Sequence, residues 1–364
     1  MAICASVATA QQVVWSTDFA TTFQNREGGD ELRPDQTFLF TRLTPEVGIR
    51  LADNDSLNIH TLKGGVNWVQ PLNDQMSGYK LVPSVYYNYT RREHSHRWDV
   101  ALGWVPRTKL TERVARYLWS DSMDFENPAV RGVLIKYAHQ VHGGVDLYLD
   151  WRQMQSETKR EAFNVLVNGR WYPSASAALW LGGTVQYNHL AKRKNAPDDE
   201  GVNDDITLNP MLGWHMGQPR WGQDGLADEW SLALKAGAVI NRERARVDNK
   251  WHTPTAFVAA IGASWRWLQL DEDLMAGRDL MPLWDRFGSQ LNLGDTYYKS
   301  KFYSRTQLTA HIVHTAVVDL NCSLTFHATD VTTGFWQQIS CRFYIDQDLW
   351  RHHGKDSKKL APAY

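Results

Sequence analysis

The sequence predicts an all-β protein: a single transmembrane antiparallel β-barrel of about 16 strands, with about 14 as the fallback, and long extracellular loops. Three observations carry that expectation. Apolar residues recur on alternate positions from Val13 to Asp346, the period of a strand with one apolar face. The apolar rows begin and end in aromatics (Trp98 with Trp104, Phe163 with Trp171, Phe257 with Trp267), which is how a barrel wall meets the two surfaces of a bilayer. No run of about 18 apolar residues occurs, which excludes helical membrane spans. The mean hydropathy of -0.46 would suit a soluble protein. In a barrel, however, lipid-facing and lumen-facing residues alternate and average out.

The clearest element is the hairpin over residues 145–172. Val145, Leu147, Leu149 and Trp151 share one face, and Asp146, Tyr148, Asp150 and Arg152 the other. The second arm repeats this with Phe163, Val165, Val167 and Trp171 in front and Asn164, Asn168 and Arg170 behind. Eight such residues, at about 3.3 Å each and tilted by about 40°, span about 20 Å, close to the apolar band of a membrane barrel. Ahead of the hairpin, lipid-facing rows start at Val13, Leu43, Leu62, Leu81, Trp98 and Val133, separated by a polar loop at 24–36 and a short turn at 52–56. Residues 106–128 break the rhythm, and 111–121 have helical spacing with Leu118 and Trp119 as anchors. After the hairpin, rows start at Ala177, Leu208, Trp230, Phe257, Leu308, Val318 and Ile339, with an acidic loop at 191–205 and an irregular stretch at 270–305. These make fifteen strands. A bacterial single-chain barrel has an even number, so one more is expected within residues 270–303, too long for a structureless connection.

Composition bounds the function. The formal net charge of -1 gives no basic field, so no nucleic-acid partner is expected. Met1 to Ala10 are small and apolar, and Ala8-Thr9-Ala10 fits a cleavage site before Gln11. Residues 1–10 therefore read as a signal-peptide remnant, 11–346 as the barrel and 347–364 as a polar C-terminal tail, in a protein exported to the outer membrane of a Gram-negative cell. Cys4 would leave with the signal. Cys322 and Cys341 lie on the apolar face of consecutive strands and are expected free, because a disulfide between directly opposed strand residues is strained.

The segments GWVPRTKL (103–110), LWSDSMDFENPAVRG (118–132), DWRQMQSETKREAF (150–163) and APDDEGVNDD (196–205) are similar to those of the uncharacterised porin-like outer-membrane β-barrels of Bacteroidota. The resemblance implies a barrel and adds no catalytic residue.

Candidate functional residues follow from the inward face. Asp146, Asp150, Arg152, Arg170, Lys235, Arg266, Asp319 and Arg342 are expected to line a pore whose mixed charge biases which solutes pass. The alternative is that they neutralise one another across strands in a plugged or narrow barrel. The loop at 106–128 carries Val114, Leu118, Trp119, Met123 and Phe125, too apolar a cluster to stand in water. It is expected to fold into the lumen and set a constriction with Arg113, Arg116, Trp119, Asp121 and Asp124. The acidic run Asp198, Asp199, Glu200, Asn203, Asp204 and Asp205 crowds oxygen ligands without the spacing of an EF-hand, so no metal and no cofactor is assigned. His94-Ser95-His96 invites a hydrolase reading, but it sits among Arg91, Arg92 and Arg97 with no third orienting group. The expected function is a porin-like channel or passive transporter for small polar solutes, not an enzyme, in contact with the lipid bilayer. A homo-oligomer or an outer-membrane partner protein is left open. The alternative is a secreted carbohydrate-binding β-sandwich, which a barrel's paired aromatic ends argue against.

Overall fold

The computed structural model describes residues 10–29, 32–53, 55–72, 78–197, 200–221 and 229–352. Residues 1–9 of the expected signal remnant and most of the expected tail lie outside these residues, while Ala10 opens β1. The strands are β1 (Ala10–Gly28), β2 (Gln36–Ala52), β3 (Asn58–Leu72), β4 (Lys80–Glu93), β5 (His96–Pro106), β6 (Ala129–His139), β7 (Gly143–Gln153), β8 (Ala162–Trp171), β9 (Leu179–Leu190) and β10 (Asn203–Met216). They continue as β11 (Trp230–Ala245), β12 (Lys250–His252), β13 (Thr255–Trp265), β14 (Leu268–Gly277), β15 (Phe302–His314), β16 (Val318–Thr329) and β17 (Thr333–Asp346). Each long strand pairs antiparallel with its chain neighbours, and β1 pairs with both β2 and β17, from Ser16↔Asp346 to Gly28↔Gly334. Since β12 is three residues long and only extends the pairing of β11, the wall is a closed barrel of sixteen strands. A closed sheet has no second sheet to pack against, which rules out the sandwich.

The strand missing from the sequence reading is β14, which starts two residues before the stretch where one was expected and runs into it. It was hidden because Asp271, Glu272 and Asp273 are three acids in a row, and one of them, Glu272, points outward. Its two carboxylate oxygens accept from Ser304 Oγ (2.7 Å) and Thr306 Oγ1 on the neighbouring strand, which replaces the water it lacks there. Cys322 and Cys341 are free; Cys322 faces Ile339 and Cys341 faces Leu320, so the two thiols are diagonal neighbours.

Mostly short turns join the strands at one end, where Asp346 and the first residues of β1 also lie, and mostly longer connections at the other; the exceptions are the connection 217–229 at the first end and the turn 330–332 at the second. Outward residues such as Leu62, Leu81, Val85, Leu181 and Phe257 are exposed as an apolar band. Trp98, Trp171, Trp230 and Trp265 ring its short-turn edge, and Trp68, Trp104, Trp151 and Phe302 its long-loop edge. The packed core lies in the lumen, made by two loops folded inward. Residues 107–128 place Val114, Leu118, Trp119 and Met123 against Tyr86, Val105, Leu134 and Tyr148 of the wall. Residues 278–301 place Leu280, Met281, Tyr297 and Tyr298 against Val239, Met275 and Tyr303. The expected helix at 111–121 falls later, as α1 (Asp121–Glu126), with Asp121 and Asp124 in its first turn, where the helix dipole favours acids. The chain after β17 begins with α2 (Gln347–His352), and Gln347 Oε1 accepts from the Trp15 backbone N–H at 2.9 Å.

Candidate functional site

Four of the eight residues expected to line a pore hold the inward loops instead. Asp146 is buried and accepts from Thr111 N (2.6 Å) and Thr111 Oγ1 (2.7 Å). Asp150, fully buried, accepts from Arg107, whose guanidinium lies 3.6 Å from the ring centre of Trp119, and from Arg131. Arg152 donates to the backbone oxygen of Gln290 (2.7 Å) in the second loop, and Arg170 pairs with Glu112 (2.6 Å) in the first. Arg342 forks onto Asp18 with contacts of 3.0 and 2.9 Å, and Asp319 accepts from His311 (3.0 Å) and His314 (3.2 Å) near the short-turn end. Lys235 is exposed on the inward series of β11. Arg266 is the exception: it stands in the turn between β13 and β14 with a left-handed backbone (φ 53°), exposed and paired with Glu229, and so does not face the lumen.

The loop residues pair among themselves. Arg113 reaches Asp121 (2.6 Å) and Asp124 (2.9 Å), and Arg116 reaches Asp121 (3.2 Å) and Asp273 of the wall (3.0 Å). Burial alone would raise the Asp121 carboxyl, but Arg113 and Arg116 hold it well below the ordinary range. The two loops also bond to each other, through Ser120 N to Leu293 O (2.8 Å) and Asp295 N to Arg116 O (2.8 Å). What is left of this part of the lumen includes a cavity of about 240 Å³ whose lining includes Asp18, Arg42, Glu46, Lys63 and Lys109. Burial, and then the nearby Lys63, push the Lys109 ammonium down to about 8.

Strand alternation splits the acidic run. Asp198 and Asp199 lie outside the described residues, Glu200 pairs with Arg193 (2.7 Å), Asp205 points inward and Asp204 points outward. Asp204 belongs to a row that the sequence reading missed. The register aligns Trp151, Phe163, His189, Asp204, Arg244 and Trp251 on successive strands, all on the outer wall near its long-loop edge. One step toward the apolar band come Leu149, Val165, Tyr187, Ile206 and Arg242.

Within this row Asp204 is nearly inaccessible. It accepts from Tyr187 Oη (2.9 Å), Arg244 Nη2 (3.0 Å), Arg246 Nε (2.8 Å) and Arg246 Nη2 (2.9 Å). Because the Tyr187 hydroxyl donates to Asp204, it can only accept from His189 Nδ1, 3.1 Å away. That assigns the proton to Nδ1 and leaves Nε2 with a bare lone pair. His189 Nδ1 is also 3.6 Å from Asp204 Oδ1, and its ring stacks on Phe163 at 4.7 Å. Arg242 and Arg244 lie over the ring of Trp251 at 4.7 and 4.3 Å. Arg242 is exposed and has no ion pair among the described residues. A histidine oriented by a hydroxyl and a carboxylate, with a lone pair free and cations beside it, can take a proton from water next to an anionic substrate. A signal was present, since His189, Asp204, Arg242, Arg244 and Arg246 interrupt apolar rows at strand ends; their convergence needed the register. His94, by contrast, sits in a short turn at the opposite end, and His96 bonds Tyr137 at 2.8 Å.

The chain is similar over residues 7–345 to the family described as Lipid A 3'-O-deacylase-type. That match overturns the expectation that the protein is not an enzyme, since this is an enzyme family by its description. No curated protein matches the sequence. Among solved structures, OccK2 (OpdF) of Pseudomonas aeruginosa shares 10% identity over 93% of this chain and 100% of that one, with a TM-score of 0.51. OpdQ of the same organism shares 9% identity over 92% and 99% of the two chains, with a TM-score of 0.48. Salmonella typhi OmpF, in complex with daunomycin, shares 11% over 92% and 97%, with a TM-score of 0.47. The likeness to OccK2 is one of fold, the porin-like barrel.

Proposed function

This chain belongs to the Lipid A 3'-O-deacylase-type family, and from that premise we propose that it is an outer-membrane hydrolase that removes an ester-linked acyl chain from an anionic glycolipid of the lipid A kind. The observation that carries the reading is the outward row His189–Asp204–Arg244 with Tyr187, Arg242 and Arg246, at the long-loop edge of an apolar band. With the long loops outside the cell, this edge lies at the headgroups of the outer leaflet. There a lipid's acyl chains would lie along Leu149, Val165 and Ile206 and its anionic head against the arginines. His189 Nε2 accepts a proton from water as the oxygen attacks the ester carbonyl. The Tyr187–Asp204 pair steadies the imidazolium, and Arg242 faces the charge gathering on the carbonyl oxygen. The tetrahedral intermediate expels the sugar alkoxide, which takes the proton from His189, leaving a fatty acid and a free hydroxyl.

The test is acyl release. Full-length protein in proteoliposomes containing hexa-acylated lipid A should yield a product lighter by one acyl chain in mass spectrometry. His189→Asn should slow it by about 10² to 10⁴. Lipid A left intact by folded wild-type protein would overturn the reading, and full activity in His189→Asn would displace the site.

A channel for small polar solutes is the weaker reading, because two loops with their own apolar packing occupy the lumen.

A further inference from the structure

Inside the wall, behind the outer row, Asp205 and Glu243 face each other as direct partners of β10 and β11, both almost completely buried. Everything that bonds them is neutral: Asn188 Nδ2 to Asp205 Oδ2 (2.7 Å), Asn241 Nδ2 (3.0 Å) and Asn292 Nδ2 (2.6 Å) to Glu243 Oε1, and Leu283 N to Glu243 Oε2 (3.0 Å). Neither carboxylate has an ion-pair partner among the described residues. Two adjacent buried carboxylates repel unless a positive charge sits between them.

A second, independent feature points to what supplies it. Asp205 Oδ1, Gln186 Oε1 and Asn292 Oδ1 are buried acceptors without a donor, on side chains at most 4% exposed. Buried acceptors are rarely left so. The three side chains line one small space of about 10 Å³, together with Leu118 and Leu293 of the two inward loops. That is room for a single small sphere. All three unsatisfied atoms are oxygens, the ligands a hard cation takes and a transition metal does not favour.

We propose that a divalent hard cation of the calcium type binds here, with Asp205, Gln186 and Asn292 as its protein ligands and the Glu243 carboxylate, which holds the Asn292 amide, as the second negative charge beside it. The site joins β9, β10 and β11 to the loop at 278–301, since Asn292 belongs to that loop. Bound cation therefore locks the second loop, and through it the first, inside the lumen. The inference stands on lumen residues and does not depend on the hydrolase reading.

The test uses full-length barrel refolded in detergent and stripped with a chelator. Added Ca²⁺ should bind one ion per chain in titration calorimetry, raise the melting temperature and protect the loop at 278–301 from protease. Gln186→Ala, which removes one neutral ligand and no charge, should weaken binding about tenfold. Asp205→Asn and Glu243→Gln should abolish it, while Asp319→Asn, at the histidine pair near the other end, should leave it unchanged. A wild-type barrel that binds no Ca²⁺ at millimolar concentration and is indifferent to chelator would overturn the proposal and leave a proton shared by the two carboxyls as the account. Binding that survives in Gln186→Ala, Asp205→Asn and Glu243→Gln alike would overturn it too.

Discussion

At the scale of single residues, the neighbour that decides a role often stands on the adjoining strand and not beside it in the chain. His189 has its tautomer set by Tyr187 and Asp204, at 3.1 and 3.6 Å. Tyr187→Phe should therefore lower kcat about tenfold or more with little change in KM, because it removes the proton partner and not a substrate contact. Equal kcat in the two proteins would show that the hydroxyl does not orient the imidazole. Asn164 makes the same point for stability. Alternation places it opposite the lipid face, where a substitution looks inexpensive, yet it is fully buried with Nδ2 donating to Asn188 Oδ1 at 2.6 Å. Asn164→Leu should cost about 1–3 kcal/mol by removing the shorter of the two hydrogen bonds that Asn188 Oδ1 accepts. Leu149→Arg, on the lipid face, should cost about 2–4 kcal/mol. Urea titration of the barrel in bilayers compares them, and a negligible effect at both positions would contradict the inside and outside assignment.

At the scale of elements, the inward loops behave as one packed body. Gly294 lies where they touch: a Cβ there would stand 2.3 Å from Tyr117 O and 2.6 Å from Met281 Cε. Gly294→Val should part the loops and make residues 107–128 sensitive to protease, whereas the same change at Gly64, whose missing Cβ would meet nothing within 4 Å, should not. Deleting residues 108–127 removes the first loop outright and should raise conductance in planar bilayers; conductance equal to wild type would mean that the lumen is closed elsewhere. The loop should also tolerate acid. Asp121 has its pKa lowered in the fold, so its contribution is complete above the unfolded value of about 4 and fades only as pH falls below it. Protease resistance near Arg116 should then be flat between pH 5 and 8, and a loss of protection within that window would point to another titrating group.

At the scale of the whole molecule, a wall of sixteen strands encloses a lumen wide enough to need filling, and this chain fills much of it with two loops while its outer surface carries the polar row. Fold class was legible in the sequence because a barrel imposes one period on every strand, and period two survives in any window long enough to show it. The inward docking of residues 107–128 was legible for a related reason, since Leu118, Trp119 and Met123 are too apolar for water. The strand β14 was only inferable from parity, because Asp271, Glu272 and Asp273 erase the alternation locally. The candidate site was legible only as polar residues interrupting apolar rows at strand ends, and their convergence was not legible. His189, Asp204 and Arg244 are separated by 15 and 40 positions in the chain, and what makes them neighbours is the register of three strands. The same register sends Asp204 to lipid and Asp205 to the lumen, so that two adjacent acids serve two unrelated sites. The order of residues by itself determined which faces are apolar, since that depends on neighbours two positions apart. Only the closed sheet decided which polar residues meet, because hydrogen-bonded pairing between strands brings together positions that no local pattern connects.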